Sequence, residues 1–241
     1  MAARSKRTSA STTFRWQRFH PALQPGDRLT VAAKREAPMP VHFSQSDLDG
    51  ACGVHCVASV LVILGLAKSH ALTLSSRRKY GVPADLWRAF ADCWFSGCSP
   101  LDLTDRLDGT ELPLQTEVVT ADTGDVERFA VSELSRGELV MVGFTSVLNR
   151  LTNHWALGVG SGGVQIGQRA VVDSLLLLDP GESEPVFRCF NARMRYLDSA
   201  ERRQLTRRVS LSRNASYWWY EAPTSGGEPV RLDSAVRIRR T

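Results

Sequence analysis

Long hydrophobic runs are absent from this chain of 241 residues. The longest, Val57 to Ala67, is well short of the roughly 20 apolar residues that cross a bilayer, so the sequence predicts a core helix there and no membrane segment. The chain also starts without the apolar stretch of a secretory signal. Its arginine- and serine-rich start is typical of a solvated tail. We predict a basic flexible tail over residues 1–27 and a single domain over residues 28–241.

Cysteine is scarce, and the five residues present make an odd number. Small secreted proteins that are held together by disulfides carry more cysteines, in even number, in a shorter chain. The count therefore predicts at least one free thiol, and it favours a reducing cytoplasm as the location.

Acidic side chains are few at both ends of the chain. Residues 1–42 carry a net charge of +6 and residues 188–241 one of +7, whereas residues 43–187 carry −8. Arginines dispersed through mixed sequence are more typical of a solvated surface than of a nucleic-acid interface. We therefore expect a protein or peptide substrate, with room for an acidic partner at the basic termini. We expect neither a nucleic acid nor a membrane as partner.

The chain does show a clear change of pattern along its length. Apolar residues at helical spacing predict helices over residues 52–66, within residues 83–107 and over residues 125–136. Later come short runs, separated by Gly, Asn, Asp or Pro, that are typical of strands. These predicted strands are residues 139–144, 155–159, 164–166, 174–178, 217–222 and 230–237. Helices followed by strands predict an α+β fold with an antiparallel sheet.

Cys52 lies where the first of these helices is predicted to begin. The unpaired N–H groups and the positive dipole end of a helix start favour a thiolate, which is the nucleophilic form of cysteine. Asp49-Gly50-Ala51 before it permits a tight turn, and Gly53 after it leaves the sulfur unshielded. Cys52 is therefore the candidate nucleophile. The remaining cysteines are interpreted as buried apolar residues: Cys56, Cys93, Cys98 and Cys189.

A nucleophilic cysteine needs a base that reaches it in space rather than in sequence. His154 is the candidate, because it begins a predicted strand of small and apolar residues. Asp179 ends another apolar strand at a Pro-Gly turn, where its carboxylate could orient the imidazole. Asp173 and Asp198 are rivals, but Asp173 precedes the apolar strand and Asp198 lies in an arginine-rich stretch.

Three segments together resemble a known family. They are QSDLDGACGVHCVASVLVILG, HWALGVG and LLLLDPG, and they are similar to the motifs of the bacteriocin-leader-processing peptidases and related papain-like cysteine peptidases. Gly65, thirteen residues after Cys52, reproduces a spacing of that family. The resemblance covers roughly residues 41–182. It implies a papain-like α+β fold, in which a central helix that carries the nucleophile packs on an antiparallel β-sheet.

The same resemblance implies a role for each matched residue. Cys52 would be the nucleophile, His154 the general base, Asp179 the residue that orients it, and Gln45 the side-chain donor to the oxyanion. The implied activity is that of a bacterial-type cysteine peptidase, which cleaves peptide bonds through an acyl-enzyme. Gln45 and Cys52 are separated by six residues, one more than the family usually has.

Other functions fit the same residues. The loop DLDGAC also resembles the Asp-Gly-x-Cys loop of ovarian-tumour-type deubiquitinases, and a similar His and Asp-Pro pattern occurs in transglutaminase-like enzymes. A deubiquitinase-like isopeptidase or a transglutaminase-like acyl transferase is therefore an alternative. A third alternative, of another class, is a catalytically silent papain-like module that binds a peptide or a nucleic acid.

No metal site and no cofactor is predicted. Cys56 lies one helical turn from Cys52, close to His55, but these residues together with Cys93 and Cys98 lack the paired CxxC spacing of structural zinc sites. Cys56 is accordingly expected to point into the core.

Overall fold

A computed structural model describes residues 13–33, 37–46, 49–73, 77–149, 153–209 and 217–241. The helices are α1 (Cys52–Ile63), α2 (Ser69–Leu72), α3 (Val82–Phe90), α4 (Cys93–Ser96), α5 (Pro100–Asp108), α6 (Val126–Arg136) and α7 (Ser199–Thr206). The strands are β1 (Thr13–Phe19), β2 (Leu23–Gln24), β3 (Thr30–Val31), β4 (Met39–Pro40), β5 (Leu114–Thr120), β6 (Leu139–Ser146), β7 (Asn153–Ile166), β8 (Arg169–Leu178), β9 (Ala192–Tyr196), β10 (Tyr217–Ala222) and β11 (Gly226–Arg240). Within these ranges, no helix is long and apolar enough to cross a membrane.

Local sequence signals place the two principal helices where they were expected. α1 begins at Cys52 and is buried on almost every side, and Gly65 follows its end with a left-handed φ of 69°. α6 begins after Asp125, whose carboxylate accepts a hydrogen bond from the Arg128 amide at 2.9 Å. Gly137, at a φ of 87°, ends α6.

The helical segment predicted within residues 83–107 consists of three separate helices, α3, α4 and α5. Gly97 adopts a φ of 72° after α4, a conformation that reverses the chain and that glycine adopts at low cost. Ser99 then caps α5 by accepting a hydrogen bond from the Asp102 amide at 3.2 Å, and Pro100 occupies its first turn. A new helix therefore starts within a few residues of the break.

Six strands form a closed antiparallel barrel. Neighbours follow the order β7, β6, β11, β10, β9, β8, and β8 pairs again with β7. Outside this ring β1 pairs with β7 and β5 pairs with β11, while β2, β3 and β4 form a small separate sheet. Strand side chains alternate between the two faces. One apolar cluster therefore fills the barrel and also contacts α6, and a second lies between α1 and the outer face of β6, β7 and β11.

The prediction of a papain-like α+β fold is wrong. Of the described residues, 37% are in strands and only 27% in helices, and the sheet closes on itself instead of forming one half of a cleft opposite a helical half. The main difference from the predicted strands is β7. The sequence suggested two short strands there, but β7 is one continuous strand of 14 residues. Its register shifts between Gly158 and Gly160 and between Gly162 and Gly163. Such irregularities bend a strand and increase its twist, which lets a sheet curl into a ring.

The expected flexible tail also contains regular structure. Thr13–Phe19 forms β1 and pairs antiparallel with Gly160–Ile166 of β7. The side chains of β1 are mostly exposed, so β1 lacks the buried apolar face of a core strand, and its pairing uses main-chain N–H and C=O groups. A Cβ on Gly160 would collide with the Arg18 carbonyl, so β7 needs glycine there for β1 to approach. Residues 1–12 of the predicted tail lie outside the described residues.

Candidate active site

The start of β7 and the end of β8 meet at one rim of the barrel, because the two strands are antiparallel neighbours. His154 is the second residue of β7, and Asp179 directly follows β8. Both extend the inward-facing rows of their strands, which continue as Ala156 in β7 and Leu177 in β8. Their side chains therefore converge, and His154 Nε2 lies 2.7 Å from Asp179 Oδ1.

The Asp179 carboxylate is almost completely buried, with 1% of the residue exposed, and each of its oxygens has a donor. The Gly181 amide donates to Oδ1 at 2.7 Å, the same oxygen that meets His154. The hydroxyl of Tyr220, which extends from β10 into the barrel, donates to Oδ2 at 2.7 Å. A buried carboxylate satisfied on both oxygens is held in one orientation.

The backbone of Asp179 is fixed as firmly as its side chain. Asn191 accepts a hydrogen bond from the Asp179 amide at 2.7 Å and donates to the Asp179 carbonyl at 2.8 Å. His42 Nε2 lies 3.0 Å from the same carbonyl, and the Gln45 amide donates to the Pro180 carbonyl at 2.7 Å. These contacts tie the turn after β8 to the segment that leads to Cys52.

Cys52 is the first residue of α1 and only 7% exposed. Its side chain interacts with the His154 ring and thereby helps to raise the pKa of that histidine, and its sulfur lies 4.0 Å from the Gly50 carbonyl oxygen. Since Nε2 of that ring faces Asp179, Nδ1 is the nitrogen left for the thiol. The structure thus brings together all three members of the predicted triad, in the order Cys52, His154, Asp179.

The interaction between His154 and Asp179 favours the charged form of the histidine. Burial lowers the pKa of His154, but the charge and hydrogen bond of Asp179, with further contributions from Cys52, outweigh this and raise the pKa to about 10. Burial raises the pKa of Asp179, yet the charge of His154 and the bonds from His154, Tyr220 and Gly181 bring it below its usual value. At neutral pH the two groups therefore form an imidazolium–carboxylate pair.

A network of local bonds shapes the loop before Cys52. The Asp49 carboxylate accepts hydrogen bonds from the Ser46 amide at 2.9 Å and from the Ala51 amide at 3.0 Å. The Gly50 amide donates to the Trp94 carbonyl at 2.9 Å, and a Cβ on Gly50 would lie 2.6 Å from the Phe95 carbonyl oxygen. The loop thus packs directly on α4, and this packing requires glycine at position 50.

We expect Gly50→Ala to lower turnover about a hundredfold, because an added methyl group must push the loop and Cys52 away from α4, and a misplacement of about 1 Å at a reacting group costs roughly that much. The measurement is turnover together with the rate of Cys52 alkylation. Gly124→Ala is the matched control, since its Cβ would meet only a Val119 methyl group at 3.2 Å. Equal activity in both variants would contradict the prediction.

The Gln45 side chain uses one of its two N–H donors within the loop before Cys52, and its role as oxyanion donor stays a prediction. Its Nε2 donates to the Asp49 carbonyl at 2.6 Å, and its Oε1 is buried without a hydrogen-bond partner among the described residues. The first turn of α1 is the better-placed source of donors, because the first N–H groups of a helix have no partner within the helix. Ala51, which precedes α1, provides no side-chain cap for them.

Cys56 points away from the site and into the core. It is 1% exposed and its sulfur lies 3.6 Å from the Trp155 carbonyl as a donor. Burial, followed by the charges of Cys52 and Asp179, raises its pKa well above the ordinary value, so Cys56 remains a thiol.

We expect Cys56→Ser to leave turnover within about twofold of the wild type, because a serine hydroxyl can make the same donor contact. The free energy of unfolding should fall by about 1 kcal/mol, since a more polar group is buried in an apolar core. Turnover and chemical denaturation provide the two measurements. A loss of activity as complete as that of Cys52→Ser, in a folded protein, would reverse the choice of nucleophile.

The two rival acids lie elsewhere in the structure. Asp173 pairs with Arg15 at 3.3 Å, and Asp198 caps α7 by accepting bonds from the Ala200 and Glu201 amides. Three residues that support the site, His42, Asn191 and Tyr220, were missed by sequence reasoning. Tyr220 belongs to an aromatic run that reads as a core strand, and no local pattern distinguishes its hydroxyl from that of any other core tyrosine.

Comparison with known proteins assigns no family. No protein-family model matches the chain, and no curated protein matches it at a significant level. Any function for this site therefore has to be argued from its geometry.

Proposed function

We propose that this protein is a cysteine peptidase that uses Cys52, His154 and Asp179 as a catalytic triad. The observation that carries the proposal is the position of His154, whose Nε2 lies 2.7 Å from the buried carboxylate of Asp179 and whose ring is close enough to the Cys52 side chain for the two groups to interact. A histidine between a thiol and a carboxylate is the arrangement that activates a nucleophilic cysteine.

The chemistry follows from that arrangement. Cys52 attacks the peptide carbonyl as a thiolate, paired with the His154 imidazolium, and the oxyanion that forms is stabilised by N–H groups of the first turn of α1. The His154 imidazolium then protonates the leaving amine, which departs as the C–N bond breaks and a thioester remains on Cys52. Neutral His154 next takes a proton from water, whose oxygen attacks the thioester. The carboxylic acid product is released when the C–S bond breaks and Cys52 leaves as a thiolate. The proton taken from water stays on His154, so the thiolate and the imidazolium are both restored.

An apolar pocket beside the site supports a peptide substrate with a large apolar side chain. The pocket has a volume of about 370 Å³ and is lined by Val54 and Ala58 of α1 together with Trp87, Phe90 and Trp94. It also includes His42, whose Nε2 lies 3.0 Å from the Asp179 backbone carbonyl, so one residue connects the pocket to the turn that carries Asp179. A pocket of aromatic and aliphatic side chains gains free energy by removing apolar surface of a ligand from water.

A reducing compartment, the cytoplasm, is part of the proposal. All five cysteines of the chain are free thiols, and Cys52 in particular has to remain reduced in order to attack a carbonyl. Structural disulfides are characteristic of oxidising compartments instead.

The test uses a peptide with a thiol-directed electrophile at its carboxyl end and a large apolar residue next to it. We expect one adduct per chain on Cys52 in the wild type, located by mass spectrometry, and none in Cys52→Ser. Labelling of a different cysteine, or a Cys52 that reacts no faster than a free thiol in solution, would overturn the proposal and leave a catalytically silent binding module.

Hydrolysis and acyl transfer are separated by their products. Proteins incubated with the wild type, but not with Cys52→Ser, should gain new termini if water accepts the acyl group. New cross-links between glutamine side chains and amines, with release of ammonia and without new termini, would instead identify a transglutaminase-like acyl transferase.

A further inference from the structure

Three side chains with metal-binding atoms converge beside α4 and α5, outside the triad. They are Cys93, Cys98 and Asp102, and their donor atoms all lie within 4.8 Å of one another. Cys93 is the first residue of α4, Cys98 follows Gly97, and Asp102 lies in the first turn of α5. The left-handed Gly97 reverses the chain between the two cysteines, so a stretch of ten residues supplies all three groups.

The spacing of these atoms is close to that of ligands around one tetrahedral zinc ion. Zn–S bonds of about 2.3 Å and Zn–O bonds of about 2.1 Å place neighbouring sulfur and oxygen ligands about 3.6 Å apart. The Cys93 sulfur lies 3.8 Å from Asp102 Oδ2. This distance is near the upper limit for a hydrogen bond from a thiol, and it is also close to the separation of two atoms that share an ion.

Arg106 holds the carboxylate in the orientation that such a site needs. Its Nε donates to Asp102 Oδ1 at 2.8 Å, which leaves Oδ2 facing the Cys93 sulfur. The same guanidinium binds both oxygens of Asp92, at 2.6 and 2.9 Å. Metal-ligating carboxylates are commonly fixed by a neighbouring donor in this way. The positive charge of Arg106 also offsets part of the negative charge that two thiolates and a carboxylate bring to the ion.

We propose that Cys93, Cys98 and Asp102 bind one zinc ion, with water as the fourth ligand. Cys93 is buried, whereas Cys98 and Asp102 are partly exposed, so water can reach the open coordination position. Two thiolates and a carboxylate form a donor set that selects zinc over magnesium or calcium, which prefer oxygen ligands alone.

The proposed zinc site contacts the segments that position the triad. The Trp155 indole, next to His154 in β7, donates to the Cys98 carbonyl at 3.1 Å. On the other side, Trp94 accepts a hydrogen bond from the Gly50 amide, two residues before Cys52. Zinc would fix the turn between α4 and α5. Through that turn it would also hold the segment before Cys52 and the start of β7 that carries His154. Zinc binding itself does not depend on the proposed peptidase activity.

The test is a titration of the full-length, metal-free protein with Co²⁺, which reports thiolate ligands by an intense charge-transfer absorption. All samples carry Cys52→Ser, so that the nucleophile cannot bind the metal. We expect one equivalent of Co²⁺ per chain, displaced by Zn²⁺. Cys93→Ser and Cys98→Ser should each weaken binding by at least tenfold, and Cys189→Ser, which removes a buried thiol elsewhere, should leave it unchanged.

A second measurement needs no substitution in the proposed site. Saturating Zn²⁺ should protect Cys98 from alkylation in the otherwise unaltered chain, as followed by mass spectrometry, without changing the alkylation of Cys189. Two results would overturn the proposal: alkylation of Cys98 at the same rate with and without Zn²⁺, or a charge-transfer absorption that persists when Cys93 and Cys98 are both serine.

Discussion

Replacement of His154 by alanine is expected to abolish turnover, with a loss of at least 10²–10⁴ for each proton transfer that the imidazole performs. His154 is both the acid that protonates the leaving amine and the base that activates water in the proposed reaction. Its Nε2 lies 2.7 Å from Asp179 Oδ1, and its ring interacts with the Cys52 side chain. His154→Ala therefore breaks the triad at its centre while leaving the nucleophile in place.

The measurement for His154→Ala is peptide turnover together with the rate at which the peptide electrophile labels Cys52. His70→Ala is the matched control, because His70 is exposed on α2 and is neither a member of the triad nor one of the residues that line the apolar pocket. Both variants should show the same thermal unfolding transition within a few degrees. If His154→Ala labelled Cys52 at the wild-type rate, the histidine would have no part in activating the thiol.

The local part of the site could be predicted from the sequence. Cys52 at the start of α1 follows from an apolar run preceded by Asp-Gly-Ala, and these are properties of neighbouring residues alone. The positions of His154 and Asp179 at strand ends follow from apolar runs that stop at polar residues. Their meeting was a hypothesis, since only the antiparallel pairing of β7 with β8 brings the two strand ends to the same rim.

The closed barrel could not be predicted, because it depends on which strands pair over long separations in sequence. β1 pairs with residues 160–166 of β7, and β11 pairs with β5, β6 and β10. Period-two alternation identifies a strand but not its partner. The residues that hold Asp179 were missed for the same reason: Asn191 and Tyr220 come from separate parts of the chain that only the barrel brings together.

The Cys93, Cys98 and Asp102 group was missed for a different reason. Its spacing of four residues between the cysteines is unlike the paired CxxC spacing used to exclude a zinc site. The sequence also suggested one helix that contains Cys93 and precedes Gly97. Nothing in that pattern indicated that the chain reverses after Gly97 and brings Cys98 close to Cys93. The separate start of α5 at Ser99 and Pro100 is what brings Asp102 toward both thiols.

Asp179→Asn is expected to lower turnover strongly while leaving the geometry of the site in place. The Gly181 amide donates to Oδ1, so the asparagine oxygen has to occupy that position and can still accept from His154 Nε2. The asparagine NH₂ group then faces the Tyr220 hydroxyl, which can accept as well as donate. The substitution therefore removes the negative charge but keeps the tautomer of His154 with a proton on Nε2.

The lost charge should be visible in the titration of His154. Burial lowers the pKa of His154, and Asp179 is the main group that opposes this and raises it to about 10. In Asp179→Asn the pKa should fall to the ordinary value of about 6.5 or below, which leaves the imidazole neutral at pH 7 to 8. Cys52 then loses its cationic partner, and alkylation of Cys52 at neutral pH should slow together with turnover. NMR of the His154 ring in both proteins provides the direct measurement.

The same pKa difference fixes the sign of the effect on stability. A histidine whose folded-state pKa is raised stabilises the protein fully below the unfolded pKa of about 6.5, and this contribution is lost as the pH rises through the folded value. Asp179, whose pKa is lowered, contributes above its unfolded pKa of about 4. The wild type should therefore exceed Asp179→Asn in free energy of unfolding most at about pH 5 to 6, and the excess should decline toward pH 10. An excess that instead grew between pH 6 and pH 10 would mean that His154 is neutral in the folded protein, and the imidazolium assigned to the proposed mechanism would be wrong.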